Sequence, residues 1–189
     1  MSKIWTINVQ VNTLYFKQQT AVGTWEQPVG GNMYWRNNVR MAAVSDNPAD
    51  AISIGDGDSF SLQVGKDDTI KWIVSEVNPI YTNYRSMSMY GFDTGSNWND
   101  NLTPPNTIIT ELEVAAVKTG FNAAKQPAER WIDASTIDIS IPQTTVRAKA
   151  KNASISYLMK LVLIDVSDIN NPRPINFFRI DPTIVIKLT

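Results

Sequence analysis

Two stretches of the chain gather carboxylates and amides at short spacing: GDGDS, from Gly55 to Ser59, and DTGSNWND, from Asp93 to Asp100. Calcium takes roughly six to eight oxygen ligands, and loop Asp and Asn residues at alternating positions supply several of them. Asp56 with Asp58, and Asp93 with Asp100, are therefore candidate Ca²⁺ ligands. Neither stretch has the full spacing of an EF-hand loop, and the same residue types build ordinary turns. A second group is aromatic. Trp25, Tyr34 and Trp35 fall in TWEQPVGGNMYW, and Trp98 stands beside Asn99 and Asp100. An exposed indole next to amide and carboxylate groups can cover one face of a sugar while the polar groups hold its hydroxyls. The same residues can instead form contacts between copies of the chain, or fill a core. Trp25 and Trp98 sit in Gly- and Asn-rich segments and are the better surface candidates. Trp5 and Trp72 fall on strand faces and belong to the core. A third group is paired carboxylates, Glu111 with Glu113 and Asp165 with Asp168, the raw material of glycoside hydrolysis. Nothing else in the chain implies a substrate cleft, so an exposed strand face is the simpler reading.

Composition removes much other chemistry. The 189 residues include no cysteine and no histidine. Disulfides, thiol nucleophiles and thiolate metal sites are excluded, and so are the commonest general base and the commonest transition-metal ligand. Carboxylates, Lys and Tyr remain, which makes a non-enzymatic role the expectation. The formal net charge is −1, which argues against a nucleic-acid or membrane-surface partner. The start, MSKIWTINVQV, lacks the apolar core of a signal peptide, and no run reaches the ~20 apolar residues of a spanning helix. A cytoplasmic protein is expected. Asn101-Leu102-Thr103 and Asn152-Ala153-Ser154 match the glycosylation pattern, which carries no meaning in that compartment.

The elements that must position these residues read as strands. Trp5, Ile7, Val9 and Val11 alternate with polar residues, the period-2 pattern of a half-buried strand. NMYWRNNVRMAAV holds one short strand and DSFSLQV another. GKDDTIKWIVSEVNP then reads as a turn at Gly65 to Asp68, followed by a strand with Ile70, Trp72 and Val74 inward and Pro79 past its end. Together the two strands look like a hairpin. A further strand is expected around Arg85–Phe92. TIITELEVAAV is strand or helix, with its isoleucines and threonines favouring strand. FNAAKQPAERW is a loop or single helical turn, and STIDISI alternates cleanly. In SISYLMKLVLIDV, Ile155, Tyr157, Met159, Leu161 and Leu163 share one face, and the opposite face is apolar enough near its end to be covered too. Pro182 belongs at the start or edge of a last strand. About eight or nine strands with at most one or two short helical turns predict an all-β, antiparallel β-sandwich, jelly-roll or Ig-like Greek key, as a single domain over 1–189.

Several of these stretches resemble the PixA/AidA family of bacterial inclusion-body proteins. KDDTIKWIV resembles that family's GDTI-x-W element. INVQVNT, ISIPQTTVRAKA, SYLMKLVLID and INFFRIDPTIVIK follow in a similar order over most of the chain. Two departures stand out: Ile73 follows Trp72 where many relatives carry Arg, and six methionines are few for a family whose founders are methionine-rich. The resemblance implies a small cytoplasmic β-sandwich, abundant in stationary phase and sometimes packed into crystalline inclusions. It has no established reaction and no catalytic residues to carry over. The leading expectation is a self-associating inclusion-body protein whose only firm partner is itself. The alternatives are a carbohydrate-binding module using the loop tryptophans, and a secreted or released effector or toxin.

Overall fold

The structure is a computed structural model that describes residues 2–30, 37–77, 84–95, 97–117 and 132–188. Tyr34, Trp35, Pro79 and the FNAAKQPAERW segment lie outside the described residues. Among those described are eleven strands and two short helices. In chain order they are β1 Ile4–Val11, α1 Thr13–Lys17, β2 Val39–Ser45, β3 Ser53–Asp56, β4 Ser61–Val64, β5 Thr69–Glu76 and β6 Arg85–Thr94. Then follow α2 Trp98–Asn101, β7 Asn106–Val117, β8 Ile132–Thr145, β9 Ala153–Asp165, β10 Arg173–Ile180 and β11 Thr183–Ile186. The all-β expectation holds, with more strands than the eight or nine expected. The chain divides into two compact units, one of residues 1–106 with 142–189 and one of residues 107–141.

In the larger unit, the first sheet runs β3-β2-β1-β5, with Gln143–Thr145 of β8 alongside the start of β5. The second runs β10-β9-β11-β4, with β6 on β9. The sheets are mixed where an antiparallel arrangement was expected: β1 pairs parallel with β5, and β11 parallel with β4. The β1–β5 register sets Trp5 beside Ile70, Ile7 beside Trp72 and Val9 beside Val74, so the two alternating apolar rows coincide on one face. β9 supplies the facing row. Ile155, Tyr157, Met159, Leu161 and Leu163 are all buried, and on its other face Val162 is buried as well. β10 and β11 follow each other along β9, interrupted at Asp181-Pro182 where proline cannot donate to the ladder. The buried residues of both sheets form one hydrophobic cluster, each large apolar side chain contributing about 1.5–3 kcal/mol by leaving water.

The hairpin expected at Gly65–Asp68 is not one. β4 belongs to the second sheet and β5 to the first, so the charged connection is a corner that carries the chain between sheets. A hairpin and a corner look alike in sequence, because both are short polar turns between alternating strands. Asp67 takes the left-handed conformation there, with φ at 62°, which Asp tolerates better than most residues. The corner is tied to the segment after β8: Asp67 N donates to Val146 O (3.1 Å) and Val146 N donates to Asp68 O (2.8 Å).

The smaller unit is a ribbon in which β7 and most of β8 are hydrogen-bonded neighbours. TIITELEVAAV is strand within it, as its β-branched residues favoured.

Candidate functional site

The residues that carry the family resemblance meet inside the core. Trp72 from β5 donates its indole N–H to the hydroxyl of Tyr157 on β9, at 3.0 Å, with both side chains fully buried. Burial pushes the Tyr157 hydroxyl far above the ordinary phenol range, the hydrogen bond from Trp72 pulling weakly the other way. Phe92 and Trp98 complete the cluster, with ring centres 5.5 Å from Trp98 to Tyr157 and 4.9 Å from Trp72 to Phe92. Trp98 was expected at the surface and is wholly buried. The short α2 turn rotates it inward, where its indole N–H donates to Thr103 O at 2.9 Å. Asn99 and Asp100, next in sequence, stay exposed, so the proposed Trp98–Asn99–Asp100 sugar platform has no indole on its outer side.

The corner carboxylate is also structural. Asp68 is 4% exposed. Its Oδ1 accepts from Lys3 N (2.9 Å), and its Oδ2 accepts from Trp5 Nε1 (3.2 Å) and Gly65 N (2.8 Å). One side chain thus bolts the start of β1 to the turn between β4 and β5.

Trp25 is where the sequence placed it, 57% exposed. Its partners were not foreseen. Trp25 packs against Tyr90 of β6 with ring centres 4.5 Å apart, and against Phe177 of β10 at 6.0 Å. Tyr90 and Phe177 are 5.5 Å apart, and the Tyr90 hydroxyl donates to Trp25 O at 3.1 Å. Partial burial, with Asp93 and Glu26 nearby, raises the Tyr90 pKa. Asn176 holds the loop in place. Its Oδ1 accepts from Gly23 N (2.7 Å) and its Nδ2 donates to Ala21 O (2.8 Å). The approach is so close that a Cβ on Gly23 would stand 2.3 Å from Phe177 O, so only glycine fits. The strap continues with Val29 N donating to Phe177 O and Arg179 N to Val29 O, both at 2.9 Å. The signal that could have found this site is weak: an apolar pair, Phe177-Phe178, directly after the proline-bearing NNPRPIN stretch.

The remaining candidate carboxylates are scattered, and several are held by a hydrogen bond or an ion pair. Asp56 accepts from Ser59 N (2.9 Å) and Ser59 Oγ within its own turn, Asp58 accepts from Asp181 N (3.3 Å), and Asp93 pairs with Lys160 (2.6 Å). Burial and the nearby Asp58 raise the Asp181 pKa. Among the described residues no three acidic side chains converge on one point. Asp165 is held below the usual carboxylate range, chiefly by the Ser167 backbone N–H, with Arg85 2.8 Å away. Asp168 accepts from Asn170 N at 3.0 Å. Glu111 and Glu113 stand exposed on β7. A cavity of about 560 Å³ opens beside the corner, lined by Lys3, Trp5, Asp50, Lys66, Asp68 and Lys187 among others. Among the described residues Lys3 and Asp50 form an ion pair in it, at 2.7 Å.

These features define an all-β protein of two mixed sheets in which the motif residues serve the core and corner, and an aromatic triad faces out. No family model and no curated protein matches the chain. Its fold is similar to that of an inclusion body protein, PixA, from Burkholderia cenocepacia. The TM-score is 0.69 at 13% identity, over 98% of this chain and 97% of that one. The resemblance read from short motifs is matched at the level of the fold. Among the described residues no helix is long and apolar enough to cross a membrane.

Proposed function

We propose that this chain is a non-enzymatic, self-associating protein of the inclusion-body type, acting by assembly in the bacterial cytoplasm. The observation that carries the reading is the likeness of fold, over nearly the whole of both chains, to a protein described as an inclusion body protein. A net charge of −1 adds support, because copies of the chain repel one another little when packed closely. The test is overexpression in bacteria, with electron microscopy of cell sections and light scattering of the purified protein. Ordered inclusions and a defined oligomer at micromolar concentration are expected. A diffuse protein that stays monomeric at every concentration would sink the proposal.

The exposed Trp25, braced by Tyr90 and Phe177, favours a second reading, carbohydrate binding through stacking on the indole. A glycan array probed with wild type and Trp25→Ala decides it: signal lost in the variant supports the reading, and a blank wild-type array removes it.

A further inference from the structure

An unpaired strand edge invites pairing with another chain, and proteins blunt such edges with short strands, lysine, proline or a covering loop. This chain does so at most of its edges. β3 and β4 are four residues each. The outer edge of β10 is strapped by the segment from Gly23 to Val29. β7 has none of these devices; its only charges are Glu111 and Glu113. Its twelve residues, NTIITELEVAAV, include no Lys, Arg, Pro or Gly, and among the described residues its only sheet neighbour is β8. Every residue from Asn106 to Val114 is exposed, including Ile108, Leu112 and Val114, with Ile109 at 74%. A two-stranded ribbon is marginal in water and gains stability from a third strand.

We propose that the free edge of β7 pairs antiparallel with β7 of a second copy about a twofold axis through Thr110. This rests on the assembly reading above and names the contact that makes it. The strand is its own complement in that register. Asn106 to Val114 of one copy lies against Val114 to Asn106 of the other, so Ile108 faces Leu112 and the apolar row continues across the junction. Glu111 faces Ile109, Glu113 faces Thr107, and no two carboxylates stand directly opposite. Moving the axis to Glu111 sets that carboxylate against its own copy, and moving it to Leu112 sets Glu111 against Glu113. Like charges directly opposite are disfavoured. A half-residue shift mixes the two faces and breaks the apolar row. The same edge meets itself, which makes the contact isologous and closed.

Thr110 is exposed and the chain has no cysteine of its own, so substitutions there read the contact directly. Thr110→Cys is expected to give a disulfide-linked dimer under mild oxidation, since paired cross-strand positions lie within disulfide reach. Asn170→Cys, at an exposed turn, is expected to stay unlinked. Thr110→Lys and Thr110→Glu, each alone, should weaken association roughly fivefold, the upper end for a like-charged cross-strand pair. An equimolar mixture of the two should recover it, which misfolded variants cannot do. If wild type assembles while both charged variants associate as it does and Thr110→Cys stays unlinked, the β7 contact is wrong and the assembly reading stands. If wild type is monomeric throughout, both fall.

Discussion

Replacing Asp68 with alanine should be among the most damaging single substitutions in this chain, though the residue lies in a turn. Its carboxylate accepts three N–H groups, from Lys3 N, Trp5 Nε1 and Gly65 N, at 2.8 to 3.2 Å. Hydrogen bonds to an ionised group are worth more than neutral ones, and a buried donor left without a partner costs about 1–3 kcal/mol. The hydrogen bonds from Lys3 N and Gly65 N are both part-buried, so those two amides regain some water. The Trp5 indole N–H, on a side chain 7% exposed, has the least access. At about 2 kcal/mol for the indole and about 0.5 kcal/mol for each amide, the loss is about 3 kcal/mol, a large share of the ~5–15 kcal/mol that holds a domain folded. That corresponds to a fall of roughly 6–12 °C in Tm for a chain of this size. Asp68→Asn keeps the volume but turns an amide NH₂ toward a donor, and should lose about 2 kcal/mol. Urea unfolding followed by tryptophan fluorescence measures both. Trp5→Phe removes one donor, so its loss and that of Asp68→Ala should sum to more than the double variant loses. If Asp68→Ala unfolds within 0.5 kcal/mol of wild type, a threshold at the scatter of ordinary surface substitutions, the carboxylate is not bolting the corner and the account is wrong.

Tyr157→Phe leaves the fully buried Trp72 indole N–H without an acceptor and should destabilise by about 1–3 kcal/mol; calorimetry on Tyr157→Phe, Trp72→Phe and the double variant should show strong coupling between them. Trp98→Ala empties a fully buried site and should lose about 3–5 kcal/mol, whereas Trp25→Ala, at an exposed ring, should lose less than about 1 kcal/mol. Equal melting temperatures for those two variants would overturn the placement of Trp98. The Asp50 carboxyl is depressed below 3.8, first by its hydrogen bond from Lys3 and then by that from Ser45. Because the folded value is the lower one, the stabilisation is present above that pH and lost as pH falls through the folded pKa. Carbon-detected NMR titration should therefore place the Asp50 midpoint below 3.8, and Lys3→Met should move it upward.

Much of the fold was legible because burial imposes a period. Every inward residue named for β1 and β9 is buried, since a strand with one face in a core must alternate. Pairing was less legible. Nothing in GKDDTIKWIV distinguishes a turn that folds a strand back onto its neighbour from one that crosses to another sheet. Partners β1 and β11 lie far along the chain from β5 and β4. Trp98 shows the same limit at a single residue. Gly- and Asn-rich surroundings suggested exposure, but one helical turn sufficed to aim the indole inward.

By itself, then, the sequence determined the chemistry available and the strand faces: no thiol, no imidazole, a near-neutral surface, and apolar rows that had to meet. These are local properties, set by residue type and by the two-residue repeat of an extended chain. Only the tertiary structure decided which rows meet and what the notable residues do. It turned Asp68 from a loop carboxylate into a three-donor bolt, paired Trp72 with Tyr157, and assembled Trp25, Tyr90 and Phe177 into one outward patch. Contacts between residues 63 to 152 positions apart depend on sheet order, and sheet order is a property of the whole chain.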